Sequence, residues 1–420
     1  MSPSRIALLG GSLEGGGAQR FALRLAEALV EAGHEIWLIS LDATCDFELR
    51  DYPALDGRIR WLSRSDVSRG TLRKMADAPR QAWRLFSLLR QLRVDTVLSL
   101  QERSNILNLL LPGRRRRIIS IRSYPAAMLK RKSPAKRWLI KLFYGVLLHR
   151  AHHVVLNSRD AADNFIELFR VSPKRVETIY NICDTDTLQR LSTEPITAVL
   201  QPVFTDPVVL TGGRMIPDKG HWQLLRAFKT TLLQVPNARL VIAGKGPLES
   251  GLRQLAGDLG IERQVVFPGF VRNLAPLMAA ATVFVLPSRR EGFPNALLEA
   301  VLLGSPSIAC DCHSGPRELL STNASTETLD EGIEKAAFGW LVPAPSGTDF
   351  PGVDQPLSIA ERALAQAMTE MLSDSGERAR LALKASERGA DFAPERIIPQ
   401  WLEVLNRPMQ DQAGNYRTAY

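Results

Sequence analysis

The sequence of 420 residues lacks any apolar run long enough to cross a bilayer. Its longest apolar stretch, Trp138 to Leu148, is interrupted by Lys141 and falls well short of the roughly 20 residues that a membrane-spanning helix needs. The first apolar run, Ile6 to Gly11, is too short for the core of a signal peptide and fits a buried strand instead. We therefore expect no transmembrane helix and a cytoplasmic location.

Cysteine is scarce, and its spacing excludes two kinds of site. The four cysteines are Cys45, Cys183, Cys310 and Cys312. Only one pair is close in sequence, and no His or Cys lies at the spacing of zinc ligands. The pattern fits neither a disulfide framework nor a zinc site, and it predicts buried free thiols.

Acidic residues are absent between Glu102 and Asp160, a segment that contains 14 Lys and Arg residues. Because the whole chain has a net charge of +9, the remainder carries −5. Such a segment favours an acidic partner, which can be nucleic acid, anionic lipid or a phosphate-bearing acceptor, although a solubilising surface is also consistent with it.

Basic and bulky apolar residues are mixed from Arg114 to Leu148, a composition that favours a surface bound at a membrane interface. The aromatic residues available for stacking on bases are few: Tyr124, Trp138 and Phe143. We therefore expect an anionic membrane surface as a partner, at the inner face of the cytoplasmic membrane, and no nucleic acid.

The length and a hydrophobic content of 45% predict a globular chain of two domains, each of roughly 200 residues. In both halves, short apolar segments alternate with amphipathic helical segments, as in doubly wound, Rossmann-like parallel sheets. The predicted domains are residues 1–190 and 208–392, joined by a proline-marked linker at 191–207. A terminal helix at 393–406 and a tail at 407–420 complete the assignment, and residues 321–337 are predicted to form a surface insertion.

The stretch Arg290 to Ala300 has the composition of an anion-binding helix start after an apolar strand. Pro294 suits a first helical position, and Gly292 lets the backbone pass close to a ligand. The amides of Phe293, Asn295 and Ala296 would then point outward from the positive end of the helix, where an anion can dock.

Two carboxylates flank this helix start. Glu299 would lie roughly 7 to 9 Å along the helix, about the distance from the diphosphate to the ribose of a nucleotide. Glu291 stays at the mouth, where it can accept sugar hydroxyls. An ordinary amphipathic helix with a solvated Glu at each end is the alternative.

Arg214 and Lys219 are five residues apart across a turn that ends one apolar segment and opens a helix. A planar guanidinium fork and a compact ammonium can converge there on a diphosphate. Two solvated loop cations are the alternative interpretation.

The arrangement of Glu291 and Glu299 resembles the donor-sugar motif of the retaining family-4 glycosyltransferases, which have the two-domain GT-B fold. The loop Gly10 to Arg20, through Gly16 and Gly17, is similar to their N-terminal glycine loop, and the resemblance extends over about Arg5 to Asn406. It implies two Rossmann-like domains facing a cleft and a C-terminal helix that crosses back to the first domain.

By that resemblance Glu299 holds the ribose, Glu291 holds the transferred sugar, and Arg214 and Lys219 neutralise the leaving nucleotide. The implied catalytic residues are Arg214, Lys219 and Glu291. The implied donor-binding residues are Gly16, Gly17, Gly244, Val271, Arg272, Gly292, Phe293, Pro294, Asn295, Ala296 and Glu299.

Polar loops follow two strands of the first half and supply acceptor-side candidates, since ligands bind at the carboxyl ends of such strands. These candidates are Gln101, Glu102, Arg103, Asn105 and Arg122. Many members of the family place a His after the first of these strands, where this chain has Gln101 or Glu102, so no base assignment is transferred.

We therefore expect a retaining hexosyltransferase that moves a sugar from a nucleotide diphosphate sugar, with uridine favoured, to a glycan or lipid-linked acceptor in polysaccharide biosynthesis, without a metal or cofactor. An inverting enzyme needs a well-placed base, whereas a same-face displacement lets the leaving phosphate take the proton. Two alternatives stay open: a hydrolysing nucleotide-sugar epimerase on the same fold, and a non-catalytic basic protein that binds nucleic acid or membrane.

Overall fold

The computed structural model describes residues 4–13, 17–45, 49–63, 78–130, 132–323, 327–346 and 350–407. The chain divides into two compact units. The first comprises residues up to Ile182 together with those from Pro394 onward, and the second comprises Cys183–Ala393.

The first unit is built on a parallel sheet whose strand order, within the described ranges, is β3-β2-β1-β4-β5-β6-β7. The strands are β1 (Arg5–Gly10), β2 (Glu35–Ser40), β3 (Ile59–Trp61), β4 (Thr96–Leu100), β5 (Arg116–Ile121), β6 (His153–Leu156) and β7 (Val176–Thr178). The helices are α1 (Gly17–Glu31), α2 (Ala78–Gln91), α3 (Glu102–Leu110), α4 (Pro125–Lys130), α5 (Pro134–Leu147) and α6 (Arg159–Phe169). The order reverses between β1 and β4, so polar groups that follow these strands meet at a switch point.

The terminal helix α15 (Pro394–Asn406) belongs to the first unit. Its apolar face buries Ile397, Trp401 and Val404 in a core shared with α1 and the sheet, and Trp401 lies 5.8 Å from the ring of Phe21. The predicted return of this helix to the first domain is confirmed.

The second unit repeats the architecture, with strand order β10-β9-β8-β11-β12-β14-β13 in its described part. The strands are β8 (Val208–Gly212), β9 (Arg239–Ala243), β10 (Val265–Gly269), β11 (Val283–Leu286), β12 (Ser307–Asp311), β13 (Glu334–Lys335) and β14 (Trp340–Pro343). The helices are α7 (Thr185–Ser192), α8 (His221–Thr231), α9 (Glu249–Asp258), α10 (Ala275–Ala280), α11 (Asn295–Leu302), α12 (Pro316–Leu320), α13 (Ile359–Ser373) and α14 (Ser375–Gly389). Its switch point lies between β8 and β11.

Residues 183–207 pack with the second unit, whereas the sequence divided them between the first domain and a linker. Asp184 caps the start of α7 by accepting from the amide of Thr187 at 3.0 Å. Asn273 donates to the carbonyl of Leu191 at 2.8 Å and thereby ties the end of α7 to the loop before α10. Because prolines follow α7, the sequence pattern predicted a linker and missed this attachment.

The segment 321–337 is joined to the second sheet at its far end, so the predicted surface insertion was only partly right. Glu334 and Lys335 form β13 and pair antiparallel with β14. Arg317 reaches Glu334 at 2.8 Å, and the amide of Leu329 donates to the buried Asp311 at 2.8 Å.

A buried ion pair fixes α8, the helix that starts at the switch point. Arg226 Nε lies 2.7 Å from Glu361 Oε1 of α13, and both side chains are almost fully buried. The remaining guanidinium donors bond the carbonyls of Gly352, Gln355 and Pro356. Because every member is paired, this polar cluster stabilises the position of α8 despite its desolvation.

The fold is GT-B, with two Rossmann-like units as predicted. The four cysteines are free thiols, and Cys183, Cys310 and Cys312 are buried. Across the described ranges, every helix is too short or too polar to span a membrane.

Candidate active site

The switch point of the second sheet brings two loops together. One loop follows β8 and contains Arg214 and Lys219, and the other follows β11 and contains Arg290 and Glu291. Because β8 and β11 are parallel neighbours, both loops leave the same edge of the sheet. Residues 72 positions apart in the sequence are placed side by side by this topology.

Gly220 sets how closely the two loops approach. Its φ of 66° lies in the left-handed region, and a Cβ there would lie 1.9 Å from the carbonyl oxygen of Pro287 at the end of β11. Only glycine fits such a position without moving the backbone. Gly220 thereby holds Lys219 against the segment that follows β11.

Lys219 and Glu291 form an ion pair, with Nζ 2.6 Å from Oε1. The Glu291 side chain is 8% exposed and that of Lys219 is 25% exposed. Two of the three predicted catalytic residues are therefore in contact, and the ammonium still reaches solvent.

Arg214 is exposed, and among the described residues its guanidinium has no hydrogen-bond or ion-pair partner. A second ion pair beside Lys219 and Glu291 was not predicted: Arg290 Nη1 lies 3.5 Å from Asp218 Oδ1. The amide of Arg289 also donates to the carbonyl of Asp218 at 2.8 Å, so the two loops are fastened by backbone as well as by charge.

His221 is a further residue that sequence reasoning missed. It is 2% exposed at the first turn of α8, and its Nδ1 has no partner within the described part of the chain. Burial, together with the nearby Lys219 charge, lowers the pKa of His221 to about 3, so the ring is neutral. Its position directly after Lys219 and Gly220 is the sequence feature that could have identified His221 as part of the site.

The thiol of Cys312 lies close enough to Glu291 for the carboxylate charge to act on it. Burial first, and then the Glu291 charge, raises the pKa of Cys312 well above its ordinary value. The thiol is a neutral wall of the site and not a nucleophile.

The start of α11 differs from the prediction by one residue. Pro294 has φ −82° and ψ 91° and precedes the helix, so the first helical residue is Asn295. The first amide to find an intrahelical acceptor is that of Leu298, which donates to the Pro294 carbonyl at 3.0 Å. The first turn is the positive end of the helix dipole, which attracts anions.

The loop before α11 makes several contacts within the second unit. Ser314 Oγ donates to the carbonyl of Gly292, and Phe293 packs 5.7 Å from the ring of Phe392. Gly315, at φ 103°, leaves room for the Pro294 ring, which a Cβ would meet at 2.6 Å. Glu299 lies one turn along α11 and is only 9% exposed.

The remaining predicted donor-binding residues of this unit lie at the same edge of the sheet, after β9 and β10. Gly244 follows β9 with φ 144°, and its amide donates to Gly269 at 2.8 Å. Val271 and Arg272 follow β10, and Arg272 is exposed. In the first unit, Gly17 is the first residue of α1, while Gly16 lies outside the described residues.

Four of the five acceptor-side candidates meet at one cavity of the first unit. Gln101, Glu102, Asn105 and Arg122 line a space of about 260 Å³. Arg103 turns elsewhere and bonds Asp42 and Gln81 at 2.8 and 2.7 Å. The aromatic wall of this cavity was not predicted, because its residues come from α5 and α6, far along the chain.

Two family models match the chain. Residues 15–187 match Glycosyltransferase Family 4, and residues 192–338 match Glycosyl transferases group 1. This chain belongs to the group 1 glycosyl transferases.

Two curated relatives match most of this glycosyltransferase. An uncharacterised glycosyltransferase from Methanocaldococcus jannaschii is 27% identical over 77% of this chain and 82% of its own length. An N-acetylgalactosamine-N,N'-diacetylbacillosaminyl-diphospho-undecaprenol 4-alpha-N-acetylgalactosaminyltransferase from Campylobacter jejuni is 27% identical over 94% of this chain and 97% of its own length.

Solved structures share the fold at lower identity. Sucrose-phosphate synthase from Thermosynechococcus elongatus has a TM-score of 0.74 at 19% identity, covering 96% of this chain and 98% of the other. Anabaena HepE in complex with UDP and glucose has a TM-score of 0.73 at 19% identity, covering 96% and 99%.

Proposed function

We propose that this glycosyltransferase is a retaining hexosyltransferase that moves a sugar from a UDP-sugar to a lipid-linked or cell-surface glycan acceptor. The observation that carries the proposal is the contact of Lys219 with Glu291 at the switch point of the second sheet, beside the unpartnered Arg214. Two cations at a strand-order reversal can bind a diphosphate, and a shielded carboxylate beside them can accept hydrogen bonds from sugar hydroxyls.

In this proposal the bond between the sugar's anomeric carbon and the diphosphate breaks with its electron pair going to the phosphate oxygen. The acceptor hydroxyl forms the new bond on the same face and gives its proton to that phosphate. Lys219, Arg214 and the first amides of α11 stabilise the growing charge. Glu299 binds the ribose, and no metal takes part.

The uridine assignment is supported by fold neighbours that hold UDP, such as the HepE complex. The acceptor class is supported by the Campylobacter jejuni relative, whose name describes transfer to a diphospho-undecaprenol-linked saccharide. Both are carried over to this chain as part of the proposal.

We infer that α5 docks the protein on an anionic membrane, at the cytoplasmic face. Its outer side exposes Trp138, Leu139, Leu142 and Val146 to 65, 53, 46 and 55%, while Ile140 and Tyr144 on the inner side are buried. Apolar side chains spaced at i, i+4 and i+8 with flanking Lys136 and Lys141 form an interfacial helix face, and the basic charge complements anionic lipid.

The proposal is tested by thermal unfolding with a panel of nucleotides and nucleotide sugars. A ligand at 100 times its dissociation constant adds about 2.7 kcal/mol, which corresponds to a rise of about 5 to 10 °C for a domain of this size. We expect UDP and one UDP-sugar to raise the melting temperature of the second unit, with or without a chelator. A shift only with other nucleotides would refute the uridine assignment, and a shift abolished by the chelator would refute the metal-free mechanism.

A further inference from the structure

A larger cavity of the first unit lies at the other edge of its sheet, where the strands begin. Its lining includes Ser4 before β1, Asp95 and Thr96 at the start of β4, and residues 114–116 at the start of β5. The ends of α2 and α15 complete the wall, and the volume of about 670 Å³ is within the range of small-molecule sites. Since β5 has six residues, the strand separates this cavity from the one at the carboxyl ends by roughly 20 Å.

Positive charge is in excess around this cavity, which we call the arginine cavity. Four arginines line it, Arg90, Arg114, Arg115 and Arg116, and the one acidic lining residue is Asp95. Three positive charges are therefore left without an acid in the wall. Within the described ranges, none of the four guanidiniums forms an ion pair.

Two of the four arginines have a structural task that explains their presence. Arg116 donates to two carbonyls at the end of α15, which is a common way to satisfy the last turn of a helix. Arg115 donates from Nε to the Val94 carbonyl at 3.2 Å and from Nη1 to the Pro112 carbonyl at 3.3 Å. Its Nη2 makes no hydrogen bond in the part of the chain that the structure describes.

Arg90 and Arg114 have no such task. Both side chains are exposed, and neither has a hydrogen-bond or ion-pair partner among the described residues. The guanidiniums of Arg90 and Arg115 lie 5.9 and 5.3 Å from the centroid of the same ring, Phe86. Burial first, and then the Arg90 charge, lowers the pKa of Arg115. Two like charges on one ring repel each other, and an anion between them would relieve that repulsion.

We propose that the arginine cavity binds a diphosphate group through Arg90, Arg114 and Nη2 of Arg115. A phosphate monoester carries about −1.5 to −2 charges near neutral pH, so two adjacent phosphates match the excess of three cations better than one does. Arginine forks donate to phosphate oxygens in pairs. The group belongs either to a soluble diphosphate or to the headgroup of a lipid, which share this chemistry.

This site lies in the first unit and does not depend on the proposed transferase reaction. A bound diphosphate would also reduce the repulsion that the other guanidiniums exert on Arg116. Because Arg116 holds the end of α15, we expect binding to strengthen the attachment of that helix to the sheet.

The test is hydrogen exchange of the full chain, read by mass spectrometry, with inorganic diphosphate or with sulfate at the same ionic strength. We expect diphosphate to slow exchange at the end of α2, the start of β5 and the end of α15, and sulfate to do so much less. Equal protection by both anions would show an adventitious ion only and would overturn the proposal.

Arg90→Gln should weaken the diphosphate response about tenfold, as for the loss of a hydrogen bond to a charged group. We expect its melting temperature to be unchanged or higher, because a repelling charge is gone. Arg80→Gln is the matched control, since Arg80 is an exposed arginine at the start of the same helix, away from the cavity. Arg114→Gln removes a second free cation without touching Phe86 and should act like Arg90→Gln. Equal diphosphate affinity in all three variants would refute the site.

Two further arms separate the source of the diphosphate and the donor proposal. Neutral vesicles containing a small fraction of diacylglycerol diphosphate replace the inorganic anion: protection lost in Arg90→Gln and seen only with these vesicles assigns a lipid headgroup, and protection by neither source overturns the proposal. Lys219→Ala should leave the protection of the first unit intact. Diphosphate protection confined to the loops after β8 and β11 would refute the arginine cavity and leave the donor assignment standing.

Discussion

At the scale of single residues, Lys219 and Glu291 define what the second unit can do. The shielded carboxylate of Glu291 would repel a diphosphate bound nearby. The Lys219 ammonium, 2.6 Å from that carboxylate, offsets the repulsion. Arg214 supplies a second cation without a competing acid in the described structure. In the proposed reaction, Glu291 serves sugar recognition, whereas Lys219 and Arg214 serve charge stabilisation.

Lys219→Ala should lower turnover more than UDP affinity, because the charge opposing Lys219 grows as the bond to the diphosphate breaks. We expect at least about a hundredfold loss in kcat, the scale of one lost charge-stabilising donor. Steady-state kinetics with calorimetry of UDP measure both quantities. Arg253→Ala, which removes an exposed cation paired with Glu249 on α9, is the control and should be normal. Normal turnover in Lys219→Ala would refute the assignment.

Gly220→Ala should destabilise the second unit beyond the cost of a left-handed alanine. Its Cβ would lie 1.9 Å from the Pro287 carbonyl, whereas Gly260, at φ 70°, has nothing within 4 Å of a Cβ. We expect Gly260→Ala to cost about 1 to 2 kcal/mol and Gly220→Ala clearly more in free energy of unfolding. Chemical denaturation of both variants measures the difference, and equal costs would show that the approach to Pro287 is not constraining.

At the scale of elements, the helix α5 has two faces with different surroundings. Its inner residue Tyr144 packs against Phe165 and Phe169 and forms part of the cavity wall, whereas its outer face is apolar and exposed. If α5 lies on a membrane through its outer face, as proposed, the cavity that its inner face borders is held close to the lipid.

Replacing Trp138 and Leu142 by Ser should weaken binding to anionic vesicles about tenfold or more, since each buried apolar side chain contributes about 1.5 to 3 kcal/mol when fully inserted. Sedimentation with anionic and neutral vesicles at low and high salt is the measurement. Trp83→Ser on α2 is the matched control, because Trp83 is 69% exposed and lies in the same unit but outside the basic segment. Equal loss in both variants, or equal binding to neutral vesicles, would contradict the docking face.

At the scale of the whole molecule, local sequence patterns were sufficient for the fold, because fully buried strands such as β1 and β8 read as continuous apolar runs. The motifs predicted that Lys219 and Glu291 both belong to the donor site, but their ion pair was not predicted and is seen only in the structure. The polar residues of the cavity around Arg122 were predicted from the strand ends, but its aromatic wall could not be found in this way. Its walls come from α3, α5 and α6, and only tertiary packing reveals that two Arg122 donors lack partners. The attachment of residues 183–207 to the second unit likewise depends on long-range contacts, which the prolines in this segment do not predict.

Both units should lose stability in acid, because histidines that are half-buried in the first unit and buried in the second bind protons more weakly when folded. Burial lowers the pKa of His152 and His153 in the first unit to about 4, and that of His221 in the second to about 3. An unfolded histidine titrates near 6.5, so below that pH the unfolded state binds more protons and the free energy of unfolding falls as pH falls. Each such histidine contributes a slope of up to about 1.4 kcal/mol per pH unit between its folded and unfolded pKa.

His221→Leu should remove that slope from the second unit alone, leaving the acid response of the first unit intact. Hydrogen exchange of the strand amides in each unit, measured from pH 7 to 5 and corrected for intrinsic rates, separates the two. An unchanged slope in the second unit of His221→Leu would mean that His221 is not the group that titrates.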